Sequence, residues 1–210
     1  TAYAIRCTSA QVYQATLAPG ASAWSAETSI ITFGISGVTC YDVLLAPSGF
    51  VFVIGVTGSS PRLYSNTPGF TTQTLPTFPN TASLRMAADA TGNVHIVSTP
   101  SYSVWRAATN TLETETGPAG IYWYTTVYVV IDRNGAPAVG FTRETSRNLV
   151  LARRTAPNVW SVEDFPTSGS LSTAGAFTNN GQEVRGLTFD ASNTPHLLYN
   201  DRGAWRHVTK

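Results

Sequence analysis

Ile131-Asp132-Arg133-Asn134-Gly135-Ala136-Pro137, followed by Leu149-Val150-Leu151-Ala152-Arg153-Arg154 and then by Trp160-Ser161-Val162-Glu163, is the stretch on which the reading of the fold turns. An apolar run enters an Asp-x-x-Gly turn, a second apolar run leaves it, and two further strand-like runs complete the unit. Asp accepts hydrogen bonds from turn amides and Gly tolerates a positive φ, so this is the chemistry of a strand reversal. Four strands read out: Thr125 to Ile131, Ala136 to Thr142, Leu149 to Arg154 and Val159 to Phe165.

The same succession recurs along the chain. The turn returns as Asp89-Ala90-Thr91-Gly92 and Asp190-Ala191-Ser192-Asn193, and with Pro in place of the acid as Ala46-Pro47-Ser48-Gly49. The Trp-Ser-x-Glu landmark opens at Trp24, has degenerate copies at Phe70 and Leu112, and returns at Trp160, at spacings of 46, 42 and 48 residues. Two landmarks keeping step at this period imply stacked modules. Between them runs rich in Val, Ile, Leu, Tyr and Phe show no sustained helical period. Strands apolar on both sides suit small sheets packed face to face.

The expected fold is therefore all-β: a β-propeller of four-stranded antiparallel blades, five-bladed with incomplete terminal blades. Thr1 to Ile30 supplies three strands and Val184 to Lys210 another three, giving eighteen in all. The units run over 1–34, 35–78, 79–120, 121–168 and 181–210 within a single domain, 1–210. A larger ring, or one finished by another chain, fits the same pattern.

Composition narrows the function classes. Charged residues make up 12% of the chain, about half the usual share of about 25%, and 13 basic residues nearly cancel 12 acidic ones. A phosphate backbone demands a basic footprint, so nucleic acid is not an expected partner. No apolar run approaches the roughly 20 residues that span a bilayer, so membrane insertion is not expected. The chain opens at Thr1 and its one Met is Met86, which fits removal of a secretion signal as well as a shortened chain.

The units, including Phe189-Asp190-Ala191-Ser192-Asn193-Thr194-Pro195-His196-Leu197-Leu198-Tyr199, resemble the repeats of bacterial secreted β-propellers over nearly the whole chain. That resemblance implies an extracellular protein of lectin-like or sialidase-like type. Sialidase-like propellers place Gly two residues after the Asp of their Asp box and follow it with Thr and Trp. Here the interval is one residue longer and the Thr-Trp is missing, so the resemblance implies binding more readily than catalysis.

Candidate chemistry lies in five groups of residues. Counting back four residues from each turn gives Asp42, Arg85, Tyr128 and Gly186, with Arg185 beside the last; polar groups on these strands should line one mouth of the central channel. Two links between blades belong to the same face: the aromatic run Tyr122, Trp123 and Tyr124, and the Gly/Ser/Thr/Asn-rich insertion holding Phe177, Asn179 and Asn180. Aromatic faces stack on sugar C–H surfaces while amides and Arg satisfy hydroxyls. Cys7 and Cys40 should meet between adjacent blades, as a disulfide or as two buried thiols. His95 and His196 share one slot, six residues after Asp89 and Asp190; with Phe52 and Ala138 in the other slots no metal cluster converges, and hydrogen-bonded histidines are expected. Glu27, Glu115, Glu163 and Gln73 recur on the outermost strands, where charge guards sheet edges.

The expectation is a secreted protein that binds carbohydrate or a cell-surface glycan, without cofactor or metal. Two alternatives stand beside it. A glycoside hydrolase or lyase would use Asp42, Arg85 and Tyr128, and an assembly module would have its terminal blades completed by a partner chain or a second copy.

Overall fold

The computed structural model describes residues 1–77, 84–98, 101–120, 127–143, 148–165, 183–201 and 204–210. Within them the chain forms eighteen strands, grouped in sheets in which consecutive strands pair antiparallel. It divides into two compact units, Thr1–Thr77 and Phe78–Lys210.

The first unit holds a three-stranded sheet, β1 (Ala2–Cys7), β2 (Gln11–Leu17) and β3 (Thr28–Thr32), and a four-stranded one, β4 (Thr39–Leu45), β5 (Val51–Thr57), β6 (Ser60–Ser65) and β7 (Gln73–Thr74). The second holds β8 (Arg85–Ala88), β9 (Val94–Ser98), β10 (Ser101–Arg106) and β11 (Thr111–Thr116); then β12 (Tyr128–Ile131), β13 (Pro137–Thr142), β14 (Leu149–Ala156) and β15 (Val159–Asp164); then a three-stranded sheet, β16 (Glu183–Phe189), β17 (Pro195–Asp201) and β18 (Ala204–Thr209). The strand count and its distribution among sheets follow the repeat read from the sequence.

The turns are built by the residues that announced them. Asp132 Oδ1 accepts from the amides of Asn134 and Ala136, each at 2.9 Å, and Gly135 sits at φ 81°. Asp190 repeats the pattern toward Ser192 and Thr194, with Asn193 at φ 63° in the glycine's place. Asp89 does most: Thr91 and Asn93 both donate to its carboxylate through backbone and side chain. Burial pushes this carboxyl up, but the hydrogen bonds from Thr91, Asn93 and His95 outweigh it and hold it at about 2, against an ordinary 3.8. A depressed carboxyl stabilises the fold above its unfolded value, and that contribution is lost as pH falls through about 4 toward 2. The loss between pH 5 and pH 2 should be about 2 kcal/mol. Urea denaturation at the two pH values should show it, and Asp89→Asn should shrink the acid-induced drop by that amount.

Packing explains the apolar strands. The sheet β12–β15 is covered on both faces: Val139, Phe141, Val150 and Ala152 meet Val97, Tyr102 and Val104 of the preceding sheet, while Ala138, Leu149 and Leu151 meet Leu187, Leu197 and Tyr199 of the next. Gly140 permits the second contact, because a Cβ there would stand 3.4 Å from both Leu187 and Leu197. In the first unit Val12, Ile31 and Phe33 pack on Val38, Val51, Val53 and Tyr64.

Two expectations need correction. The Trp-Ser-x-Glu landmark lies on β11 and β15, but Trp24 to Glu27 precedes β3, and only Gln73 of the Phe70 copy enters β7. Pro76 lies just beyond this two-residue strand, and a residue without an amide donor cannot extend the ladder. The recurrent acids do not share one edge-guarding role. Glu27 pairs with Arg6 and Glu163 with Lys210 at exposed positions, whereas Glu115 is 7% exposed and gripped through both oxygens by Arg154 of the neighbouring sheet. Burial raises the Glu115 carboxyl, and the bonds from Arg154 and the Asn158 amide more than reverse this.

Candidate functional site

In the second unit the first strands of the three sheets, β8, β12 and β16, lie side by side. Two of them lead with a residue singled out by counting back from the turns. Arg85 opens β8 and Tyr128 opens β12. The Arg85 guanidinium stands over the Tyr128 ring, 5.6 Å from its centroid, and its Nη1 donates to the Leu84 carbonyl at 2.7 Å. Both side chains are half-buried. A cation held on an aromatic face in this way is fixed in direction, a rigid donor set beside an apolar ring.

Arg185 reaches its place by another device. The pairing of β16 with β17 shifts between Val184 and Gly186, so Arg185 is the extra residue of a bulge, and it is exposed. A bulge re-aims a side chain that regular pleating would assign to a face. The pairing of β4 with β5 shifts at the corresponding place, between Cys40 and Asp42.

The expected site residues are thus distributed unevenly. Arg85 and Tyr128 come together, and Arg185 shares their unit. Asp42, whose Oδ1 accepts from the Val43 amide at 3.1 Å, belongs to the first unit. Tyr122, Trp123, Tyr124, Phe177, Asn179 and Asn180 lie outside the described residues.

Cys7 at the end of β1 and Cys40 in β4 both pack against the core that the two sheets of the first unit share. The structure holds them as free thiols that perturb one another, not as a disulfide. The interaction lowers the Cys7 thiol and, with burial, raises that of Cys40.

The two equivalent histidines differ. His95 is 3% exposed, with Nε2 3.1 Å from Asp89 and Nδ1 bonded to the Tyr102 hydroxyl. Burial lowers its basicity although Asp89 favours the charged form. His196 is instead 30% exposed in its side chain and bonds to His207. The sequence reading missed His207 because the contact depends on the β17–β18 register. That register runs outward from the pair Asp201 and Ala204.

No protein-family model matches the chain, and no curated protein matches it by sequence. Solved structures match it in shape. The extracellular domain of a one-component system from B. thetaiotaomicron aligns at TM-score 0.54 and 15% identity, over 99% of this chain and 25% of that one. A luciferin-regenerating enzyme aligns at 0.56 and 10%, over 96% of this chain and 70% of that one. The intramolecular trans-sialidase of Ruminococcus gnavus aligns at 0.50 and 12%, over 95% and 50%. The chain spans a quarter of the length of the first of these structures. Similarity at such low identity speaks to architecture alone, and the architecture is a β-propeller of repeated antiparallel sheets.

Proposed function

We propose that the protein is an extracellular carbohydrate-binding β-propeller that holds a glycan where the first strands of its sheets begin, and that it binds without catalysing a reaction. The observation carrying this reading is the Arg85 guanidinium stacked on Tyr128 at the start of adjacent strands. Guanidinium N–H groups suit sugar hydroxyls and carboxylates, and the aromatic ring beside them suits C–H surfaces. Chain connectivity adds to it. Tyr122, Trp123 and Tyr124 lie a few residues before Tyr128, and the insertion with Phe177, Asn179 and Asn180 leads into the strand that carries Arg185. Two proteins of similar fold are an extracellular domain and a trans-sialidase, which supports the location and the ligand class.

A glycan array with the wild-type chain, Arg85→Ala and Trp123→Ala tests the reading. Each substitution should weaken binding about tenfold or more, the equivalent of roughly 1.4 kcal/mol. An array without hits, or hits indifferent to both substitutions, overturns it. Turnover of chromogenic glycosides that disappears in Asp42→Asn would replace binding by hydrolysis.

A further inference from the structure

Asp89, His95 and Tyr102 form a line of hydrogen bonds in the β8–β11 sheet, and the direction of each bond is fixed. Burial works against the Asp89 charge, but the hydrogen bonds of its turn hold the carboxyl at about 2, so it is ionised at neutral pH and can only accept. His95 Nε2, 3.1 Å from Asp89 Oδ2, therefore carries the ring proton. Nδ1 is left as a lone pair, and the Tyr102 hydroxyl donates to it. Tyr102 is fully buried and His95 is 3% exposed. The repeat folds without this line, since the slot of His95 holds Phe52 and Ala138 in two other sheets.

A second aromatic ring meets the phenol from the next sheet. Trp160, half-buried on the outer strand β15, packs edge-on against Tyr102 with ring centroids 4.9 Å apart. Its Nε1–H donates to the Thr116 carbonyl at 3.0 Å. A peptide carbonyl is too weak a base to take that proton, whereas an imidazole backed by a carboxylate can take one. The difference matters for electron loss. A phenol or an indole that gives up an electron becomes a strong acid, and the loss is eased where a base already holds the acidic hydrogen. Tyr102 has such a base and Trp160 does not, so an electron vacancy on the indole would pass inward to the phenol.

The surroundings favour that transfer. Burial lowers the basicity of His95, and Asp89 opposes this by stabilising the imidazolium. Arg154 stands 5.8 Å from the centre of the Tyr102 ring, but Glu115 neutralises it through both oxygens. Arg106 is likewise paired, with Glu113. No uncompensated cation among these groups resists a loss of negative charge from the ring.

We propose that Tyr102 is a one-electron redox site entered through Trp160, whose substrates are strong one-electron oxidants such as organic peroxyl radicals. The oxidant takes one electron from the indole, and a peroxyl radical becomes a hydroperoxide with a proton from water. The vacancy crosses the ring contact as the Tyr102 hydroxyl proton moves to His95 Nδ1, leaving a neutral phenoxyl and an imidazolium paired with Asp89. One electron from a reductant such as ascorbate returns the proton to the phenol. This site is separate from Arg85 and Tyr128 and does not rest on the reading given for them.

Flash photolysis of ruthenium tris-bipyridine with a cobalt(III) ammine as quencher supplies a suitable oxidant, and electron paramagnetic resonance reads the product. The wild-type chain should give a neutral tyrosyl signal that outlives those of exposed tyrosines and is absent from Tyr102→Phe. Trp160→Phe should slow its formation by about tenfold, the equivalent of roughly 1.4 kcal/mol on the barrier. His95→Gln keeps a hydrogen-bond acceptor but no base, and it should remove the signal, which a merely structural bond would leave in place. Electron–nuclear double resonance on the wild-type chain with labelled histidine asks the same question without a variant: the exchangeable proton beside the phenoxyl oxygen should be bound to imidazole nitrogen. A wild-type chain without the long-lived signal, a signal that survives Tyr102→Phe or His95→Gln in folded protein, formation indifferent to Trp160→Phe, or a phenoxyl with no imidazole proton beside it each overturns the proposal.

Discussion

Arg154→Met should destabilise the protein by about 1–3 kcal/mol, the usual cost of leaving a partly buried hydrogen-bonding group without its partner. Arg154 Nε and Nη2 reach the two Glu115 oxygens at 2.9 and 2.7 Å, with side-chain exposures of 14% and 7%. The guanidinium also stands 5.8 Å from the centroid of the buried Tyr102 ring. Removing it strands a carboxylate between two sheets, where it must take up a proton or admit water. Urea denaturation of the single variant and of Arg154→Met with Glu115→Leu separates this from loss of attraction alone. The double variant should recover most of the stability, because an apolar pair restores the contact without a buried charge. A single-variant cost below about 1 kcal/mol, the range of exposed pairs, would show that the interface is wet.

Oxidation of Cys7 and Cys40 should stabilise the chain by about 4 kcal/mol, the value expected for closing a loop of about thirty residues. The two thiols are near enough to perturb one another. Two thiols give up two protons and two electrons to a disulfide such as oxidised glutathione, through a mixed disulfide opened by attack of one cysteine on the other. The Cys7 thiol, lowered by its neighbour, is the readier thiolate. Denaturation midpoints before and after treatment with oxidised glutathione, with Cys7→Ser as control, measure the effect. Peptide mapping that finds two free thiols after oxidation would remove the cross-link, and with it one support for an extracellular setting.

The repeat was legible because turn chemistry is local: Asp132 and Asp190 place their carboxylates on amides two and four residues ahead wherever the turn occurs. Counting from those turns then found Arg85 and Tyr128, whose contact follows from equivalent places on adjacent strands. Relations across sheets were harder to read. Glu115 has the alternation of a solvent-facing residue on an outer strand, and only the approach of Arg154 from another module buries it. His207 needed a strand register, and the outer strand of the second sheet departed from the landmark because pairing there is short.

Adjacent sheets of the second unit are clasped by different residues at each junction. Asn158, at φ 61° in the β14–β15 turn, gives its amide to Glu115 and accepts from the Thr116 amide, while Trp160 Nε1 donates to the Thr116 carbonyl. At the next junction Arg133 donates to the Asp190 carbonyl, and Asn193 accepts from the Arg133 amide. Each module thus carries an address for its own neighbour. Transposing two of these units would keep every apolar surface yet leave donors and acceptors unmatched at both seams, so the modules are not interchangeable despite their common plan.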